Sequence, residues 1–397
     1  MNQKTYFKIF IVVQLFIIAC NSNNQYYRAL TSGYPNPQTF KIFPERKVET
    51  SGPISFISKS EKRKMRDALT FRTVRDGMQT VPFDEILKIT RTNALIVIKE
   101  NKLVYENYLN GFDRESLQTS FSSAKSILST LIGIAIEEGK IQSVNDPVIK
   151  YIPELKNRGL DTLKIRDIMM MSTGIDYKRV EDTFFLLIPF SPDITTFYGD
   201  NLRAIIGDLH SGKVPVGKSF NYNDYYPILE GIILERVTGT TISNYTRKKL
   251  WEPMGMEFDA SWSLDSEEHG FERVHVAFNA RAIDFARFGL LFLNNGTWNG
   301  RKIVSSDWVQ QSTSPDPNDD RDWMVFKFWP KIGGYYKYHW WGMKNEDQTY
   351  DYMARGNLGQ IIFVSPSRKT VIVRLGEEPN NNYQWPFIAK ALAGQLE

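Results

Sequence analysis

Cysteine is almost missing from this 397-residue chain, which carries one, Cys20. A single thiol excludes an internal disulfide framework. Histidine is nearly as scarce. His210, His269, His275 and His339 stand singly and no His-Glu-x-x-His occurs, so no metal or other cofactor is expected. There is no Gly-x-Ser-x-Gly elbow either. Charge of one sign is not in excess: 49 basic against 45 acidic residues leave +4, with no basic cluster, which argues against a nucleic-acid partner. No repeat of 20–50 residues is visible. No apolar run is long enough to span a bilayer comfortably; the longest, Ile9 to Ala19, is interrupted by Gln14.

That short run has another reading. Lys4 and Lys8 precede it, and it ends in Ile17-Ile18-Ala19-Cys20. A basic n-region and a short apolar stretch make an export signal over residues 1–19. The ending resembles the lipobox of bacterial lipoproteins, where cleavage before the cysteine precedes acylation. The expectation is a chain lipid-anchored at Cys20 in the bacterial cell envelope, its acyl chains together giving stable membrane attachment. An ordinary secretory signal with an incidental cysteine is the alternative. Without residues 1–19 the net charge falls to near +2.

With 42% hydrophobic and 13% aromatic residues, the chain can bury a large core. Residues 20–65, rich in Asn, Ser, Pro and charge, read as tether and lead-in. From about 66 the pattern is regular. Ala94 to Ile98, a turn at Glu100-Asn101-Lys102 and Leu103 to Tyr105 predict a hairpin. A helix from Ser122 to Glu138 stops at Gly139, and its middle is apolar almost all round, so burial is expected. Further helices cover Tyr225 to Val237 and Ile283 to Leu293. Late strands at Ile361 to Val364 and Thr370 to Leu375 precede a terminal helix near Pro386 to Leu396. Strands at both ends with helices between predict an α+β fold: one antiparallel sheet assembled from both termini, flanked by the terminal and Ser122 helices, with a mainly helical lobe inserted over about 165–275.

Three short segments could carry chemistry. In Phe121-Ser122-Ser123-Ala124-Lys125-Ser126 a serine opens a helix and a lysine lies one turn on, on the same face. If that face is buried, desolvation lowers the lysine's proton affinity and a neutral amine can take the hydroxyl proton. The tetrapeptide alone also fits a helix-capping serine with a solvated lysine. About 100 residues on comes Phe220-Asn221-Tyr222-Asn223-Asp224, where a tyrosine near a cation could relay protons. Third is Ala354-Arg355-Gly356-Asn357-Leu358-Gly359, running into a strand. Glycine there admits a substrate carbonyl, and an N–H can serve an oxyanion hole.

In this order the three segments resemble the serine β-lactamase and penicillin-binding family, for which Ser-x-x-Lys and two further motifs are diagnostic. The resemblance covers roughly residues 90 to 395 and is to the class C β-lactamase-like branch, within it the 6-aminohexanoate-dimer hydrolase and esterase relatives. Framework segments agree as well, among them Asp146-Pro-Val-Ile-Lys-Tyr-Ile-Pro153, Leu250-Trp-Glu-Pro-Met-Gly255 and Ile283-Asp-Phe-Ala-Arg-Phe-Gly289. It implies a β-lactamase-like serine hydrolase domain over residues 66–397. Ser122 would be the acylated nucleophile, Lys125 its base and Tyr222 the relay, with the N–H groups of Ser122 and Asn357 as oxyanion hole. Tyr177, Asp224, Trp340, Trp341 and Gly356 are pocket candidates.

Two departures bear on substrate. The second motif ends in Asp224 where Asn or Ser is usual. The third reads Ala354-Arg355-Gly356 in place of Lys-Thr-Gly, so the group that holds a β-lactam's carboxylate is absent from its usual position. Esters or small amides are therefore expected as substrates. A β-lactamase or D-Ala-D-Ala peptidase is one alternative, and a catalytically silent envelope lipoprotein binding peptide or peptidoglycan fragments is another.

Overall fold

The computed structural model describes residues 25–53, 57–58, 65–73, 77–176, 192–379 and 384–396. Its centre is a seven-stranded, wholly antiparallel sheet. The strand order is Gly334–Lys337, Trp340–Lys344, Tyr350–Arg355, Ile361–Ser365, Thr370–Gly376, Thr92–Lys99 and Lys102–Tyr108. The early hairpin thus joins the late strands, with Ile372 opposite Val97. Glu100 and Asn101 both take left-handed backbone at φ 52 and 62, as a tight hairpin turn following the strand twist requires.

Both faces of the central strands are covered, so Thr92 to Ile98 and Thr370 to Gly376 are buried without alternation. Helix Ala282–Leu293 lies on the Val371 and Ile362 face, where Gly289 lets the two backbones close up; a Cβ there would collide with Val371. Helix Trp385–Gln395 covers the opposite face, where Arg374 lies 5.2 Å from the Trp385 ring. The Ser122 helix differs from expectation. Ala124–Glu137 packs mainly on Tyr225–Thr238 and meets the sheet at Tyr350–Arg355. Because it is buried on all sides from Ala124 to Ala135, it serves as the interior wall between sheet and lobe instead of a cover.

The lobe is mainly helical, with Ile165–Met169, Pro192–Tyr198, Tyr225–Thr238 and the run Ile242–Met254. It closes with strand Ala260–Ser263, part of a second sheet in the order Glu45–Val48, Ala260–Ser263, Phe278–Ala280 and Gln118–Thr119. The lead-in is therefore docked over residues 25–53. Helix Gln25–Ser32 packs on Pro192–Tyr198, Arg28 donates to the Asp265 carbonyl at 2.7 Å, and Arg273 lies 3.9 Å from the Phe43 ring. Its Asn- and Pro-rich composition hid the buried Ala29, Phe40, Phe43 and Val48. Among the described residues no helix is long and apolar enough to cross a membrane, and Cys20 lies outside them.

Candidate active site

The second sheet delivers the serine. Strand Gln118–Thr119 is pinned by Ser120 N–H to the Phe278 carbonyl at 2.9 Å, and the chain then turns sharply at Phe121, φ 44. Left-handed backbone costs a bulky residue about 1–2 kcal/mol, which the burial of the Phe121 ring offsets. The turn sets Ser122, half-buried among buried neighbours, at the mouth of the helix.

One turn on, Lys125 is 1% exposed. Its Nζ donates to Ser122 Oγ at 2.9 Å, to Asp224 Oδ1 at 2.8 Å and to the His275 carbonyl at 2.6 Å. Three acceptors match the three hydrogens of an ammonium. Burial pulls the Lys125 proton affinity down, but the Asp224 carboxylate and Tyr222 together outweigh it, and the group sits above its ordinary value. This corrects the expectation that desolvation leaves a neutral amine: the resting lysine is a cation because its partner is Asp224.

Asn223 explains why Asp224 is in place. The Asn223 side chain accepts from the N–H groups of Tyr225 and Tyr226 at 3.1 and 3.3 Å and so caps Tyr225–Thr238. Capping done, Asp224 turns to Lys125. Tyr222, two residues earlier, has its ring centroid 5.1 Å from Lys125 Nζ. The ring is seated among Trp341, Phe326 and Tyr336, with centroids 5.7, 6.0 and 6.0 Å away.

The third segment arrives at the end of Tyr350–Arg355. A Cβ on Gly356 would collide with the Ser120 carbonyl oxygen, so strand end and serine turn are in direct contact. Asn357 follows, and its Nδ2 donates to the Tyr34 hydroxyl at 3.3 Å. The docked lead-in therefore reaches the site, which its composition did not signal. Arg355 turns away from Gly356 and stacks on Trp329 and Trp341, 5.0 and 4.8 Å from their centroids.

The two tryptophans part company because neighbours on a strand face opposite sides. Trp341 backs Tyr222; Trp340 packs on Phe288 and Phe292 in the core and is not a pocket residue. Tyr177 lies outside the described residues. His275 was read as an isolated histidine, yet its carbonyl completes the lysine's shell. Burial pushes its ring down to about 3, so it is neutral, and Nε2 donates to the Thr196 carbonyl at 2.9 Å. Among the described residues no group of three His, Cys, Asp or Glu could hold a metal ion.

Fold and cluster together define an enzyme scaffold of the penicillin-recognising type. The chain belongs to the Beta-lactamase family, which it matches over residues 85–393. It is 27% identical over 320 residues to the 6-aminohexanoate-dimer hydrolase of Paenarthrobacter ureafaciens, covering 75% of each chain. A Bacillus anthracis structure provisionally called a 6-aminohexanoate-dimer hydrolase superposes with TM-score 0.75 at 23% identity, covering 90% of this chain and 92% of that one. A family VIII carboxylesterase superposes with TM-score 0.55 at 15% identity, covering 75% and 91%. The curated relative is thus a hydrolase, and the carboxylesterase shares the fold.

Proposed function

We propose that the chain is a serine hydrolase acting through an acyl-enzyme on esters or small amides. The observation that carries this is the convergence of Ser122, Lys125 and Asp224, linked by bonds of 2.9 and 2.8 Å, with Tyr222 alongside. Lys125 passes a proton to Asp224 as it takes the one on Ser122 Oγ, and Ser122 attacks the substrate carbonyl carbon. The N–H groups of Ser122 and Asn357 hold the oxyanion. Tyr222 gives its proton to the leaving oxygen or nitrogen, regains one from Lys125, and Asp224 returns its proton to Lys125. Water then attacks acyl-Ser122 along the reverse path and releases the acid.

The similarity to a 6-aminohexanoate-dimer hydrolase and to a carboxylesterase supports this substrate range. The protein is further proposed to be lipid-anchored in the envelope through Cys20. A fluorophosphonate probe followed by peptide mapping tests the reaction: labelling is expected on Ser122 and absent from Ser122→Ala. No labelling of the folded wild-type protein would instead support a silent binding lipoprotein.

A further inference from the structure

Behind Tyr222 lies a buried polar chain that this mechanism does not use. Glu230 stands on helix Tyr225–Thr238, six residues after Asp224, while Tyr336 and His339 belong to the hairpin that also carries Trp341. His339 Nε2 is 2.7 Å from Glu230 Oε1, and Nδ1 is 2.8 Å from the Tyr336 hydroxyl. Glu230, Tyr336 and His339 are 0, 1 and 2% exposed. A phenol can donate or accept, so both bonds persist in either protonation state of the ring.

The hairpin is bent to make these contacts. Its two turn residues, Tyr338 and His339, are left-handed at φ 44 and 67, where asparagine and glycine are the usual occupants. The bonds of His339 hold that conformation, and Ser126, next to Lys125, donates its hydroxyl to the His339 carbonyl at 2.7 Å. One residue therefore ties together the helix that Asp224 opens, the nucleophile helix and the hairpin. Tyr336 passes the constraint on: its ring stands at 87° to that of Tyr222, and Trp341 packs against both, 4.9 Å from Tyr336 and 5.7 Å from Tyr222.

We propose that Glu230, His339 and Tyr336 are positioning residues that fix the Tyr222 phenol relative to Ser122 and Lys125. The proposal rests on Tyr222 being the proton relay to the leaving group. It makes a distinction that a merely structural role does not. p-Nitrophenolate departs as an anion, whereas ethoxide must be protonated as it leaves. Loss of folded protein lowers turnover of both esters in proportion; a displaced Tyr222 slows the ethyl ester selectively.

The experiment compares kcat/KM for p-nitrophenyl butyrate and ethyl butyrate in Tyr336→Phe and Glu230→Gln, with Tyr222→Phe and Ser122→Ala as references. Tyr336→Phe keeps the ring and removes the bond to His339; Glu230→Gln is read should that variant not fold. Both are expected to lower the ethyl ester about tenfold or more beyond the activated ester, in the direction of Tyr222→Phe and without a matching rise in KM. An unchanged ratio in both, beside a changed one in Tyr222→Phe, overturns the positioning role and leaves the relay standing. An unchanged ratio in Tyr222→Phe overturns the relay and this proposal with it, whereas turnover surviving Ser122→Ala overturns the serine mechanism itself.

Discussion

Asp224 lies 2.8 Å from Lys125 and reverses the effect that burial alone would have on that lysine. In water such a pair contributes little, but here the lysine is enclosed and the carboxylate only partly exposed, so the attraction is weakly screened. The ion pair sets the resting protonation state of the proposed base.

Replacing Asp224 by Asn removes the largest influence holding the Lys125 proton while burial stays. The Lys125 pKa then falls. The Asn side chain cannot take the Lys125 proton as Asp224 does in the proposed mechanism, so kcat/KM for p-nitrophenyl butyrate falls at neutral pH and its acid limb becomes that of Lys125 deprotonation. A pH–rate profile with the limb unmoved would show that Lys125 does not govern it.

Gly356→Ala drives a methyl group into the Ser120 carbonyl oxygen. Backbone cannot swing aside like a side-chain tip, so the serine turn and strand end must separate. Overpacking of this kind costs about 1–3 kcal/mol. Turnover is expected to fall at least about tenfold with the fold retained by circular dichroism. Wild-type kinetics would show that the contact does not set the site's geometry.

His275 stays neutral in the fold to about pH 3 but titrates near its ordinary 6.5 when unfolded. Its folded value is the lower one, so its neutral burial costs nothing above pH 6.5. Stability is lost as pH falls from there towards 3, by up to about 1.4 kcal/mol per pH unit. His275→Gln should therefore show a shallower decline of the urea midpoint between pH 6.5 and 4.5 than wild type. Parallel declines would sink this assignment.

Arg355 stacks on Trp329 and Trp341, and Ala354 has no group to offer a carboxylate. A charge-assisted contact to the β-lactam carboxylate is worth about 1.5–3 kcal/mol, and an ester loses nothing without it. p-Nitrophenyl butyrate should be hydrolysed in a Ser122-dependent way with nitrocefin turnover weak or absent. Nitrocefin rates equal to the ester's would mean that Arg355 leaves its stack to bind the carboxylate.

Cys20 lies five residues before the docked helix Gln25–Ser32. Cys20→Ala is expected to abolish palmitate labelling and release the protein from membranes. Label persisting in the variant would place the acyl group elsewhere.

The fold was legible where local pattern and local cause coincide. Gly139 ended the Ser122 helix where it was read, in left-handed backbone, and the apolar run of that helix implied its burial. The short strand Glu45–Val48 escaped because its partner is distant in sequence. Glu45–Val48 pairs with a strand more than 200 residues away, and no local periodicity announces that. Ser122, Lys125, Tyr222 and Gly356 were readable because their order and spacing survive in one dimension. Glu230, Tyr34 and the separate fates of Trp340 and Trp341 were not.

By itself, then, the sequence determined which side chains are available: a serine and a lysine one helical turn apart, a tyrosine with an acid two residues on, and a glycine at a strand end. Tertiary structure alone decided their state. Asn223 takes the helix cap, so Asp224 is left to face Lys125. The lysine is consequently a buried cation, not a neutral amine, because its charge depends on a carboxylate 99 residues away brought to 2.8 Å by the packing of two helices.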